Sequence, residues 1–145
     1  MKSLAVTSRS FSKNLLLRQE VLKRYPKAKF NDKGASLKGD SLVKFLDGYE
    51  KAITALEVID DSILEHLPDL KVIGKYGVGL DMIDLHAMKK YGVTLGWTGG
   101  VNKRSVSELV ISFSIALLHR AIFANDEVIT KKTINYEYWI KKRAY

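Results

Sequence analysis

The stretch KVIGKYGVGLDMID, residues 71–84, has the form of a buried strand that ends in a glycine turn before a helix begins. The apolar run predicts a strand over 71–76, and Asp84 stands where a helix N-cap is expected. Gly77 and Gly79 carry no side chain, so their backbone N–H groups can approach a small anion closely. The turn is therefore a candidate anion site, and an ordinary chain reversal is the alternative interpretation.

Strand and helix patterns alternate on both sides of this turn. Parallel neighbours need crossover connections, which are normally helical, so the alternation predicts an α/β protein with five parallel strands and helices on both faces. Ser12 is expected to cap the first helix. The predicted strands are 3–8, 28–30, 51–56, 71–76 and 93–97, and the predicted helices are 11–25, 40–48, 60–67 and 85–91.

A long helical pattern follows the last strand. Apolar residues keep one broad face over 104–129, and at ~1.5 Å per residue a single helix of this length reaches nearly 40 Å. That is longer than a domain of this size requires. The tail after this pattern shows no clear period.

Composition excludes several classes of protein. The chain of 145 residues has no cysteine, which removes disulfide scaffolds, thiolate zinc sites and cysteine nucleophiles. Its net charge of +8 is dispersed and lacks aromatic platforms, so nucleic acid is not the expected partner. The longest apolar run, 109–118, is about half of what a bilayer requires, and no signal peptide is evident. A soluble, cytoplasmic protein without a membrane partner is expected.

Ligands of parallel sheets bind beyond the carboxyl ends of the strands, which directs attention to the loops 7–12, 75–81 and 97–105. The loop 7–12 is similar to the hydroxyl-rich loop with which flavodoxins hold a flavin phosphate, although it lacks the usual glycine. Arg9 lies in this loop and adds a positive charge. A flavoprotein is therefore one alternative.

Other catalytic chemistries find little support in the sequence. The G-x-G-x-x-G fingerprint of dinucleotide binding fails at Met82, where the third glycine should stand. Asp81 and Asp84 have the types needed for an acid/base pair or a metal site, but Asp84 is better explained as a cap. The three histidines have no acidic partner at a useful spacing. We therefore predict no metal site, and none of the histidines is a candidate catalytic base.

In combination, the motifs of residues 71–118 resemble the D-isomer-specific 2-hydroxyacid dehydrogenases, particularly the phosphoglycerate dehydrogenase-like branch. The opening LAVTSRSF is similar to that branch more weakly. Two positions depart from the family pattern: Gly99 stands where proline is usual, and Trp97 where asparagine is frequent. The motifs that carry the resemblance are Gly77-Val78-Gly79-x-Asp81-x-Ile83-Asp84, Ala87, Gly92, Gly100-Val101-Asn102 and Ser105-Val106-x-Glu108.

The resemblance implies a flavodoxin-like substrate domain over 1–101. Residues 102–145 would form the long crossover helix and the tail that lead toward a nucleotide-binding domain. The family's G-x-G-x-x-G motif and its catalytic arginine, glutamate and histidine would all lie beyond residue 145. The resemblance thus implies NAD(H) as the cofactor of the full-length enzyme, but no tight cofactor binding and no activity in the isolated chain.

The resemblance also assigns individual residues. The backbone N–H groups of Val78 and Gly79 would bind the carboxylate of a 2-hydroxy or 2-oxo acid, and Asn102 would contact substrate beside the nicotinamide. Lys75 and Arg9 would add positive charge near the anion, and Val106 would contact the cofactor. Self-association through the long helix is expected, because its apolar face would otherwise be exposed or left to the tail. The alternative is a stand-alone, non-catalytic module that binds an anion or a partner.

Overall fold

The computed structural model describes residues 2–131, of which Lys2 and Lys131 are described by backbone only. Contacts divide the chain into two compact units, Met1–Gly100 and Val101–Tyr145. The elements of the first unit are β1 (Lys2–Val6), α1 (Arg9–Lys13), α2 (Leu15–Arg24), β2 (Lys29–Phe30), α3 (Asp40–Leu46), β3 (Tyr49–Thr54), α4 (Asp61–Leu64), β4 (Val72–Lys75), α5 (Leu85–Lys90) and β5 (Thr94–Gly96). Those of the second unit are α6 (Lys103–Leu118) and α7 (Ala121–Lys131).

The five strands form one sheet in the order β2-β1-β3-β4-β5, and every pair is parallel. This is the flavodoxin-like strand order, so the predicted fold class is confirmed. Val6 pairs with Ile53, and Thr54 pairs with Lys75. The carboxyl ends of β1, β3 and β4 therefore lie side by side at one edge.

The strands alternate their side chains between two apolar cores. Ala5, Ala52 and Ile73 face a larger core that is completed by α3, α4 and α5. Val6 and Phe30 face a smaller core that is completed by α1 and α2. Each fully buried leucine or isoleucine contributes on the order of 2 kcal/mol of hydrophobic stabilisation. The sheet is thus covered by helices on both faces, as predicted.

The segment predicted as one helix over 11–25 is two helices, because side chains other than Ser12 cap them. Ser8 Oγ accepts the N–H of Phe11 at 3.2 Å and begins α1, whereas Asn14 Oδ1 accepts the N–H of Leu17 at 3.1 Å and begins α2. The predicted cap at Ser12 is wrong. Its hydroxyl instead accepts the backbone N–H of Asn31 at 3.1 Å and so ties α1 to the end of β2.

The single long helix predicted over 104–129 is likewise divided. Arg120 adopts a positive φ of 54°, which a right-handed helix does not accommodate, and its N–H donates to the carbonyl of Leu117 at 3.0 Å. The axes on the two sides of this break differ by 63°. No single helix in the described part of the chain is long and apolar enough to cross a bilayer. Counted together across their bend, α6 and residues 121–130 do reach that length and apolarity.

Asn31 joins the loop after β1 to the loop after β2. Its side-chain nitrogen donates to the carbonyls of Thr7 and Ala35, both at 2.8 Å, and its side-chain oxygen accepts the N–H of Ala35 at 3.0 Å. Only 3% of Asn31 is exposed. Because buried polar groups need partners, this one side chain fixes both loops at the carboxyl edge of the sheet.

We expect Asn31→Ala to lower the free energy of unfolding by about 3 kcal/mol, since it leaves the buried partners of the amide unsatisfied. Urea denaturation followed by circular dichroism measures this change. The matched control is Asp32→Ala, which removes an exposed ion pair with Arg18 and should cost less than about 1 kcal/mol. Equal losses in the two variants would contradict the role given to Asn31.

Candidate functional site

The turn after β4 presents a row of free backbone donors. Gly77 has a φ of 137°, a conformation that residues with a side chain rarely adopt. Within the described part of the chain, the N–H groups of Gly77, Val78 and Gly79 donate to no other residue. Successive backbone amides without an internal partner are available to an anion. The anion site expected at this turn stays a prediction.

Neighbouring side chains lie close to both glycines of the turn. A Cβ on Gly79 would lie 3.0 Å from Asp81 Oδ2, and one on Gly77 would lie 3.7 Å from Lys75 Nζ. The ammonium of Lys75 donates to the carbonyl of Ala55, in the loop after β3. Lys75 therefore bridges two loops and places one positive charge beside the free amides.

Asp84 has a structural role. Its Oδ1 accepts the backbone N–H groups of Ala87 at 3.0 Å and His86 at 2.8 Å. These hydrogen bonds, of which the one from Ala87 has the larger effect, hold the pKa of the carboxyl below its usual range. The predicted N-cap of α5 is thus confirmed. Since this carboxylate already serves the helix, an acid/base pair of Asp81 and Asp84 is not supported.

Trp97 connects the turn after β4 to the loop after β5. Its indole N–H donates to the carbonyl of Val78 at 3.1 Å. A Cβ on Gly99 would lie only 2.7 Å from the Trp97 ring, closer than real contacts allow, so a proline there would push the indole away. The two departures from the family pattern are therefore coupled: Trp97 requires Gly99. In the sequence alone the two positions appear as separate features.

A cavity of about 490 Å³ opens beside β1. At this point the connections after β1 and β3 lead in opposite directions, to β2 and to β4. Residues of the segments 8–13, 34–37 and 55–57 line the cavity. Arg9, a predicted site residue, lies here with Lys13, which was not predicted. The signal for Lys13 was its position four residues after Arg9, a spacing that places both on one side of a helix.

The hydroxyls of the loop after β1 are committed to the protein itself, which argues against a flavin-phosphate loop. Thr7 Oγ1 donates to the carbonyl of Ile53 at 3.1 Å, Ser8 Oγ caps α1, and Ser12 Oγ binds the backbone of Asn31. A phosphate would have to displace these bonds, and Thr7, Ser8 and Ser12 are all buried. The loop instead offers charge through Arg9.

Asn102 and Val106, the remaining predicted site residues, belong to the second unit. Asn102 is the N-cap of α6, but its side chain makes no capping hydrogen bond. Asparagine is among the residues that cap helices most strongly. Because the side-chain amide of Asn102 does not make this bond, it is available for other contacts. Val106 lies in that first turn, with 47% of its surface exposed.

The turn at Gly77 does not suit a dinucleotide pyrophosphate. Such a loop leads directly into a helix whose first amides face the phosphates. Here α5 begins six residues after Gly79, and the Asp84 carboxylate already occupies its first amides. Among residues 2–131, moreover, no group of three or more histidine, aspartate or glutamate side chains is placed to hold a metal ion.

The chain matches known proteins over most of its length. Residues 7–137 match the family model described as D-isomer specific 2-hydroxyacid dehydrogenase, catalytic domain. A glyoxylate reductase of Thermofilum pendens is 35% identical over 71 residues, which are 49% of this chain and 21% of that protein. An (S)-sulfolactate dehydrogenase of Chromohalobacter salexigens is 35% identical over 65 residues, 45% of this chain and 21% of the relative.

A solved structure with the same fold is the D-isomer specific 2-hydroxyacid dehydrogenase, NAD-binding, of a Polaromonas species. It superposes with a TM-score of 0.69 at 19% identity, and the match covers 92% of this chain and 41% of the other. In each of these three comparisons the matched part is less than half of the relative.

A double-mutant cycle tests the coupling of Trp97 and Gly99. We expect Gly99→Pro in the wild-type background to displace the indole and lower the free energy of unfolding. In the Trp97→Asn background the same change should cost about 1 kcal/mol less, because no ring remains to collide. Urea denaturation followed by circular dichroism gives all four values. Additive losses would show that the two positions are independent.

Proposed function

Because the chain belongs to the D-isomer specific 2-hydroxyacid dehydrogenase family, we propose that it is the substrate-binding segment of an NAD-dependent D-2-hydroxyacid dehydrogenase. In such an enzyme a hydride passes between the hydroxyl-bearing carbon of a 2-hydroxy acid and the nicotinamide. Residues 1–101 form the substrate domain in this proposal, and 102–145 lead toward the nucleotide-binding domain. A cytoplasmic location is part of the same proposal.

The observation that carries this proposal is the row of free amides at Gly77, Val78 and Gly79. A carboxylate is a small, flat anion that accepts two or three such hydrogen bonds, and bonds to a charged acceptor are stronger than neutral ones. Lys75 adds a positive charge next to the same turn. The turn therefore binds the substrate carboxylate, and its amides set the position of the neighbouring carbon.

The remaining site residues orient the substrate and the cofactor. Asn102, with its uncommitted amide, contacts the substrate, and Val106 in the first turn of α6 provides an apolar contact for the nicotinamide. The turn at Gly77 does not suit the pyrophosphate of NAD(H), so no tight cofactor binding is assigned to it. We propose that the isolated chain is inactive, because it offers neither the phosphate-binding glycines nor a catalytic base.

We expect glycolate to shift the backbone amide resonances of Val78 and Gly79 in a ¹⁵N-labelled chain, with an affinity on the order of 1 mM. Gly77→Ala should abolish the shifts, because alanine disfavours the φ of 137° that aligns the amides. The matched control is Gly92→Ala, which strains another positive φ, 68°, at the end of α5. It should leave glycolate binding unchanged.

The same samples test the lack of activity. NADH added with glyoxylate should show no loss of absorbance above the buffer rate, and NADH alone should shift no amides at micromolar concentration. Oxidation of NADH that persists through purification would contradict the proposed inactivity. Glycolate shifts spread over the whole sheet, or centred elsewhere, would contradict the carboxylate assignment.

We also propose that the apolar side chains of α6 associate with a second copy of the chain. Leu109, Phe113 and Leu117 recur every four residues on one side of the helix and are each more than half exposed. Exposed apolar areas of this kind are rare on monomers. The tail, the other expected cover, lies outside the described residues.

Light scattering coupled to size-exclusion chromatography tests this association. The wild-type chain should elute with at least twice the mass of one chain. Phe113→Asp should shift it toward the monomer, because a charge is costly in an apolar interface. Ser112→Asp adds the same charge to the adjacent, polar position and serves as the control. A wild-type monomer at all concentrations would rule the association out.

A further inference from the structure

The cavity beside β1, named the switch-point cavity from here on, lies at the position where open α/β sheets bind their ligands. In this strand order β1 pairs with β2 on one side and with β3 on the other, so the loops after β1 and β3 diverge and leave a crevice. With a volume of about 490 Å³ it is large enough for a small ligand group. The carboxylate turn at Gly77 does not line it.

The switch-point cavity carries two cations that the protein itself does not use. Arg9 and Lys13 both line it, and within the described part of the chain neither side chain makes a hydrogen bond or an ion pair. Lys13 lies over Gly34, with its Nζ 4.0 Å from where a Cβ would stand, so an alanine there would already touch it. Unpaired guanidinium and ammonium groups on one cavity wall favour an anionic ligand.

The walls that carry these cations are held rigidly. Asn31 fixes both the loop after β1, through Thr7, and the loop after β2, through Ala35. One carboxylate, that of Glu57, also lines the cavity, and it accepts the N–H of Ala55 at 2.7 Å. The formal charge on the walls is therefore +1, and Glu57 opposes part of the attraction of Arg9 and Lys13.

The switch-point cavity and the carboxylate turn are close enough to share one ligand. Strands β1, β3 and β4 are consecutive neighbours, and adjacent strands lie about 4.8 Å apart, so the ends of β1 and β4 are roughly 10 Å apart. Between them Lys75 binds the carbonyl of Ala55, itself a wall residue of the cavity. This spacing is within the combined reach of a short acid bound at Val78 and Gly79 and the long side chain of Arg9.

We propose that the switch-point cavity binds a second anionic group of the substrate, held by Arg9 and Lys13, so that this protein takes 2-hydroxy acids with an anion at each end. This inference rests on the proposed function, because it uses the carboxylate turn as the first anchor. A phosphate, a sulfonate or a second carboxylate satisfies the same chemistry. The substrate class is thus a dianionic 2-hydroxy acid rather than one with an apolar side chain.

The test compares D-glycerate with 3-phospho-D-glycerate, two acids that differ only in the phosphate, as ligands of the ¹⁵N-labelled 145-residue chain. We expect both to shift the amides of Val78 and Gly79, and only the phosphorylated acid to shift those of Ser10 and Ser36 as well. It should bind at least tenfold more tightly at low salt, and the difference should shrink as salt rises.

Three charge variants sharpen the comparison. Arg9→Ala and Lys13→Ala should each weaken 3-phospho-D-glycerate about fivefold, and Glu57→Gln should strengthen it by a similar factor, with D-glycerate unaffected in all three. Lys27→Ala removes the same charge just before β2, at the end of the sheet where the strands begin, and should change neither affinity.

The outcomes separate this inference from the proposed function. If D-glycerate shifts Val78 and Gly79 but the phosphate adds no affinity and no shift at Ser10, the carboxylate site stands and the second anion site is wrong. The same holds if inorganic phosphate alone binds as tightly as the phosphorylated acid. If neither acid shifts Val78 and Gly79, the proposed function itself fails, and the inference fails with it.

Discussion

The strand order at β1 is the constraint on which the site depends. Because β1 pairs with β2 on one side and with β3 on the other, its carboxyl-terminal loop has a neighbour on each side and must be anchored to both. Thr7 supplies one anchor, through its hydroxyl on Ile53, and Asn31 supplies the other. These bonds fix Arg9 in space while leaving its guanidinium unpaired. The rigid part of the loop thus makes the charged part available.

Local signals in the sequence sufficed for most of the fold. The central strands are mostly apolar runs, and Asp60 and Asp84 each stand one residue before a helix and cap it. Ser12 failed as a cap because its hydroxyl found a partner nineteen residues away in Asn31, a tertiary contact that no local pattern shows. The break after α6 failed for a similar reason. Arg120 takes a positive φ where the sequence shows neither glycine nor proline.

In the candidate site, too, local features were predictable from the sequence and tertiary contacts were not. Its central turn was predictable, since two glycines after a buried strand allow a turn with positive φ and leave no side chains to shield the backbone amides. The contact between Trp97 and Gly99 was not, because it joins a side chain of one loop to the carbonyl of another. Trp97 binds the carbonyl of Val78 and leaves the Val78 N–H free, so it holds the turn without using one of the proposed donors. The large side chain therefore orients the turn rather than closing it.

The first turn of α6 also contains a polar side chain that makes no bond to the helix. A capping hydrogen bond from asparagine stabilises a helix by about 1 kcal/mol, and Asn102 has the position but not the bond. Its side chain forgoes that stabilisation, and the amides of the first turn remain without this cap. Departures from locally optimal chemistry are expected where residues serve a ligand rather than the fold. Asn102 thus resembles Gly77 and Arg9 in one respect: each holds a polar group that the protein positions but does not satisfy.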